Sequence, residues 1–195
     1  MATSATPNGA EPVNTLSASG SYSGKVRHMK VASAYNTAIF YGDFVKLVAA
    51  GTVERAAVTT AVVAGTVGIF VGCSYTDPST SQLTFNQQYP ASTTASDIMA
   101  YVVDDPKIVL KMQGDEAIAQ TGLGNNISAV NTVGSTAIGR SKNALDGGSV
   151  ATTNSLPLRV LEFVEGPSST VGDTYTDCLV TYLPLSHAYE TKLGV

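Results

Sequence analysis

Tryptophan is absent from this 195-residue sequence, and histidine and cysteine occur twice each. So few imidazoles and thiols exclude most metal centres built from several such ligands. Charged residues are only 13% of the chain, about half the usual share of ~25%. The formal net charge is −4 and the isoelectric point about 5.0. An acidic chain with so few basic residues lacks the face that holds a phosphate backbone, so no nucleic-acid partner is expected. No apolar run reaches the ~18–20 residues of a membrane helix, so no membrane partner is expected either. The Met-Ala-Thr-Ser start is polar and does not read as a secretory leader.

Apolar residues make up 44% of the chain, enough to form a core without disulfides or metal. Ser, Thr, Asn, Gln and Gly must therefore cover much of the outside. A surface with little charge suits a protein docked on neighbours rather than a free monomer.

Residues Met1–Gly24 hold a single charge, Glu11, and no apolar periodicity. They read as an extended, flexible N-terminal arm, with a β-rich domain over residues 25–195. Within that domain, partial alternation marks a first strand over Lys25–Ser33. Ala38–Tyr41 is apolar and β-prone, and Gly42-Asp43 is a turn. Phe44–Val48 reads as a strand. Ala56–Ala64 is called a strand because Val and Thr are stiff at χ1. Val67–Tyr75 is the strongest strand. Thr76-Asp77-Pro78-Ser79 turns it into a hairpin with a strand carrying Leu83, Phe85 and Tyr89. Ile98–Val103, Ile108–Gln113, Leu156–Val164 and Thr174–Leu183 complete the strands. Ala117–Asn125, preceded by Asp115 and Glu116, has room for one or two helical turns. Gly134–Leu145 reads as a connector, Asp146-Gly147-Gly148 as a turn, and His187–Val195 as a polar tail. Many short strands with little helix predict a mainly β fold: a β-sandwich or barrel-like core with a small helical insertion.

Chemistry is sparse. Cys73 and Cys178 sit in strand-like runs and read as buried thiols; whether they pair is left open. Asp104, Asp105, Asp115 and Glu116 flank one strand. They read as two solvated turns, with an oxygen-ligand cation site as the competing reading. His28 and His187 are the only imidazoles. Ser186 precedes His187, but no nucleophile elbow accompanies the pair, and His187 reads as a strand-end or surface residue. Gly122-Leu123-Gly124-Asn125-Asn126 lacks the third glycine and the lysine of a phosphate loop. The nine tyrosines fit strand packing, with some suited to interfaces. No catalytic, cofactor-binding or metal-ligating residue is assigned, no cofactor is expected, and the chain does not read as an enzyme.

Between about Gly42 and His187 the sequence resembles the head decoration, or cement, proteins of tailed bacteriophages. The resemblance lies in Gly42-Asp43-Phe44-Val45 and in the run Val67-Gly68-Ile69-Phe70-Val71-Gly72-Cys73-Ser74-Tyr75-Thr76-Asp77-Pro78. It continues through Tyr89-Pro90-Ala91, Val102-Val103-Asp104-Asp105-Pro106, Gly139-Arg140-Ser141, Leu158-Arg159-Val160 and the Leu183–His187 end. The resemblance implies a structural virion protein without an active site. Such a protein is made in the host cytoplasm and binds the outside of an expanded shell of HK97-like major capsid protein as a dimer or trimer. Other readings are another virion component (tail tube, head–tail or fibre) and a carbohydrate-binding β module; the absence of Trp weighs against the last.

Overall fold

The computed structural model describes residues 4–17, 22, 24–59, 65–191 and 194. Twelve strands form two antiparallel six-stranded sheets. The first sheet contains β1 (Glu11–Thr15), β8 (Ile108–Gln113), β12 (Asp177–Tyr182), β11 (Leu158–Phe163), β9 (Asn126–Val130) and β10 (Ala144–Ala151), in that spatial order. The second runs β2 (Arg27–Lys30), β7 (Met99–Val103), β5 (Thr66–Thr76), β3 (Phe44–Leu47) and β4 (Val53–Arg55). Here β6 (Leu83–Asn86) pairs with the far end of β5. The expected mainly β sandwich is what the chain forms.

The inter-sheet core joins Phe44, Ile69 and Val103 of the second sheet to Ile108, Leu110, Leu158, Val160 and Val180 of the first. The second sheet is also covered on its other face. Val45, Phe70, Cys73, Ala100 and Val102 pack there under Ile39, Tyr89 and Ile98 from the loops beside it. Burial on both faces explains why β5 reads as a continuous apolar run rather than an alternating one. Gly68 sits where the pairing of β5 with β3 slips by one residue. At its φ of +155° a Cβ would lie 2.0 Å from the Val103 carbonyl oxygen, so only glycine fits.

The β5–β6 hairpin forms as the Asp-Pro turn predicts, and its Asp77 accepts bonds from the Ser79 and Thr80 backbone N–H groups. Other expectations need correction. The helical insertion shrinks to one short turn: among the described residues the only helix is 3₁₀, Gln120–Gly122. Gly124 at φ +78° ends it before an α-helical turn can close. Asp146-Gly147-Gly148 is not a turn but the bulged middle of β10, where its register on β9 slips. Residues 56–59 are not a strand, although Ala56 and Val58 are in the core; residues 60–64 lie outside the described residues. His187 is not in a polar tail but fully buried.

The largest difference lies at the N-terminus. Residues 11–15, expected in a flexible arm, form β1 and pair with β8 of the same chain. Ala10 is buried in the inter-sheet core, and Thr15 donates to the Asp105 carboxylate at 2.7 Å. Backbone pairing on the exposed edge of β8 ordered this segment, a non-local contact that apolar periodicity does not register. Residues 1–3, 18–21 and 23 of the expected arm lie outside the described residues.

Removing residues 1–24 is therefore expected to destabilise the domain by about 2 kcal/mol or more, read as a lower urea midpoint. An unchanged midpoint would show that β1 adds nothing to the fold.

Candidate functional site

Asp43 is the most completely enclosed charge among the described residues, with no solvent exposure. It sits in the Gly42-Asp43 turn that opens β3. Its backbone N–H donates to the Phe40 carbonyl, and its own carbonyl accepts from Phe70 N–H, which fixes the turn on β5. The carboxylate then gathers partners from its own turn and from two other segments. Oδ1 accepts from Ser141 Oγ at 2.6 Å and from Asn143 Nδ2 at 3.2 Å, and Oδ2 accepts from Phe40 N–H at 3.0 Å. Arg55, from the end of β4, brings Nε to 2.9 Å from Oδ2. The Arg55 guanidinium also donates to the Thr132 carbonyl and to Asn143 Oδ1. Burial pushes the Asp43 carboxyl up from its ordinary range, and the Ser141, Phe40 and Arg55 contacts pull it back down. The N-terminal segment crosses directly above. Ala10 N–H donates to the Gly42 carbonyl, and Gly9, at φ +75°, lies so close that a Cβ would meet Ser141 Cβ at 2.5 Å.

This cluster is a joint, not a reaction centre. Each carboxylate oxygen is saturated by protein donors, and the network is covered by residues 8–10. Sequence reading placed Asp43 in a turn and passed over Arg55, a single cation in an Ala- and Val-rich stretch. The signal available was the pairing of Gly42-Asp43 with Gly139-Arg140-Ser141, two motifs distant in sequence that the fold brings into contact.

The residues singled out for chemistry do not converge. Asp104 and Asp105 lie at one end of β8, Asp115 and Glu116 at the other. Asp104 accepts from Tyr189 Oη at 3.0 Å and pairs with Arg27. Asp115 and Glu116 instead meet Asp146, with carboxylate oxygens within 4.8 Å of one another, at a partly exposed site. Exposed acidic groups gather in this way without any ion, so the trio alone assigns no metal. Cys73 and Cys178 are buried free thiols in separate clusters, Cys73 outside the inter-sheet core and Cys178 within it. Burial pushes each thiol up to about 12, far from a reactive thiolate. The Gly122–Asn126 segment runs from the last residue of the 3₁₀ turn to the first of β9, not the N-terminus of a helix that would hold phosphate.

Ser186 Oγ and His187 Nε2 are both buried, and neither is hydrogen-bonded to the other, so the nucleophile–base contact of a triad is missing. His187 lies edge-on between the rings of Tyr182 and Tyr189, at 5.2 and 5.0 Å, and its Nδ1 accepts from Tyr189 N–H. Burial lowers its pKa; the Val67 backbone and the nearby Glu190, Asp104 and Asp105 offset part of that. His28 is exposed and lies tilted against the Tyr101 ring, with centroids 4.6 Å apart.

A cleft of about 390 Å³ is lined by residues of the 4–11 segment, by Lys111–Gln113 of β8, and by Ser168 and Asp177. Its charges are balanced internally, Lys111 with Asp177 at 3.1 Å and Glu11 with Arg140. The other notable surface is apolar. β5 continues past the first sheet, and β6 rides on that overhang. Leu83 and Phe85 are 62% and 69% exposed. They stand opposite Thr76 and Ser74, and the same face continues to Met99 and Tyr101 of β7. The i, i+2 spacing of Leu83 and Phe85 was legible as a strand, but it reads equally well as a face turned inward.

Comparison with known protein families, curated proteins and solved structures finds no match to this chain.

Two consequences follow from the buried groups. Asp43→Ala strands Arg55 without its counter-ion and is expected to cost about 3–5 kcal/mol in urea unfolding; a loss below about 1 kcal/mol would show the pair to be dispensable. His187 is held neutral when folded, with a pKa below its unfolded value. The unfolded chain therefore binds the extra proton first, and stability falls as pH drops below about 6.5, by at most about 1.4 kcal/mol per pH unit. Comparing unfolding at pH 7.5 and 5.5 checks this: His187→Gln should flatten the slope, and an equal slope in both proteins would contradict it.

Proposed function

We propose that this protein is a structural virion component that binds the outer surface of an expanded HK97-like phage shell and reinforces it. It acts as a small homo-oligomer and has no catalytic role. The observation that carries the reading is where the motifs of the cement-protein resemblance fall. Gly42-Asp43 and Arg140-Ser141 meet at the buried joint. Asp104 ties Arg27 and the C-terminal segment to the end of β7, and Val67–Tyr75 is the doubly buried central strand. All of them hold the sandwich together and none lines the cleft beside residues 4–11, which suits a protein whose working part is its outside.

Three further features support it. The chain carries little charge, so broad apposition to a neighbour desolvates few ions. Its exposed apolar residues lie on sheet edges and loops, among them Leu83, Phe85, Val133 and Ile138. A lattice of many copies needs only modest affinity at each contact, because neighbours held together raise the effective concentration.

The test is direct. Purified chain is mixed with expanded shells stripped of accessory proteins and with unexpanded precursor shells, and retention is followed by sedimentation. Saturable retention on expanded shells alone is expected. Equal failure on both would remove the shell reading; retention on an immobilised glycan array would replace it with the carbohydrate-binding one.

A further inference from the structure

Among the described residues five strands lie at sheet edges: β1 and β10 in the first sheet, β2, β4 and β6 in the second, with Leu145 of β10 already bridged by Gly114 and Asp115. An open edge pairs with any strand that reaches it unless something blocks it. Four of the five carry such a block. β1 contains Pro12 and a register slip, and β10 carries Asp146 and the Gly147-Gly148 bulge. β2 ends in Arg27 and Lys30, and β4 is three residues long with Glu54 and Arg55. β6 has no charge, no proline and no slip in its register on β5. Its outward side chains are Leu83 and Phe85, among the most exposed large apolar groups of the molecule.

We infer that β6 is where two copies of this chain join, the two β6 edges pairing antiparallel about a two-fold axis at Thr84. Charge selects a second copy as the occupant. A two-fold contact sets each residue beside its own symmetry mate, so any ionised group near the axis meets its like. Residues 78–96 hold no charged side chain. The flanking Asp77 and Asp97 are bound locally, to Ser79 and to Thr76. An acidic or basic partner would find no counter-charge on this edge, whereas the net −4 chain can meet itself here without repulsion.

The register follows from the pleat. Leu83 and Phe85 share one face, so a continuous sheet must set apolar against apolar. With the axis at Thr84, Leu83 of each copy stands opposite Phe85 of the other, and Thr84 opposite Thr84. Two apolar cross-strand pairs then form on the overhang, beside Met99 and Tyr101. Ile138 adds to the rim, since its neighbour Gly139 lies against Gln87, the residue after β6.

The inference rests on the assembly reading only for the expectation that the chain associates with itself. The test uses the full chain in sedimentation equilibrium across the micromolar range. The wild type is expected at twice the 20.1 kDa chain mass. Phe85→Lys is expected at the monomer mass with an unchanged melting temperature, because Phe85 is a surface residue. Thr84→Cys is expected to form a covalent dimer under mild oxidation, since Cβ atoms facing across an antiparallel pair lie about 4.5–5.5 Å apart. A monomeric wild type, a Phe85→Lys dimer, or no cross-link from Thr84→Cys would each overturn the pairing. A monomer that still bound expanded shells would leave the shell reading standing; a β6 dimer that ignored shells would do the reverse.

Discussion

Asp43 brings a charge into a site with no solvent, and the fold is organised around satisfying it. An isolated buried carboxylate costs several kcal/mol, so the turn at residues 40–43, the end of β4 and the stretch from Thr132 to Asn143 must all be in place together. Those segments belong to different layers. Residues 40–43 lead into the second sheet, while residues 132–143 connect β9 to β10 of the first. The ion pair therefore fixes how the two sheets meet at that end. The N-terminal segment completes it: Gly9 crosses with no room for a side chain, and β1 then adds itself to β8. Removing either charge leaves the other buried and unpaired, which is why the network acts as one unit.

The second sheet is packed on both faces, by the inter-sheet core on one side and by Ile39, Tyr89 and Ile98 on the other. Asp43 is saturated by protein donors, and Ser186 Oγ and His187 Nε2 are buried without a hydrogen bond to each other. What remains available is the periphery: a charge-balanced cleft under the N-terminal segment and an apolar overhang on β5 and β6. A surface with so little charge suits broad contact with a neighbour, and the proposed role on a shell builds on that property.

Much of the fold was legible because its signals are local. β-branched runs bounded by Gly, Pro and Asp marked β3, β5, β7, β8, β11 and β12, and Asp77-Pro78 marked the hairpin. The misreadings have a common cause in long-range contacts. β1 and β9 are strands because β8 and β11 offer them an edge, not because Glu11–Thr15 or Asn126–Val130 alternate strongly. Gly147-Gly148 resembles a turn until β9 holds it as a bulge. His187 reads as polar, yet Tyr182 and Tyr189 enclose it. The Asp43 joint was legible only as two distant motifs; their contact, 98 residues apart at Ser141, belongs to the three-dimensional structure.

The central claim is that this chain works as a repeated surface on a particle. The most direct measurement is a density gradient of the producing lysate with quantitative mass spectrometry of each fraction. The account predicts this chain in the DNA-filled particle band, at a copy number comparable to that of the major shell protein. Its absence from particles, or a few copies per particle, would contradict it.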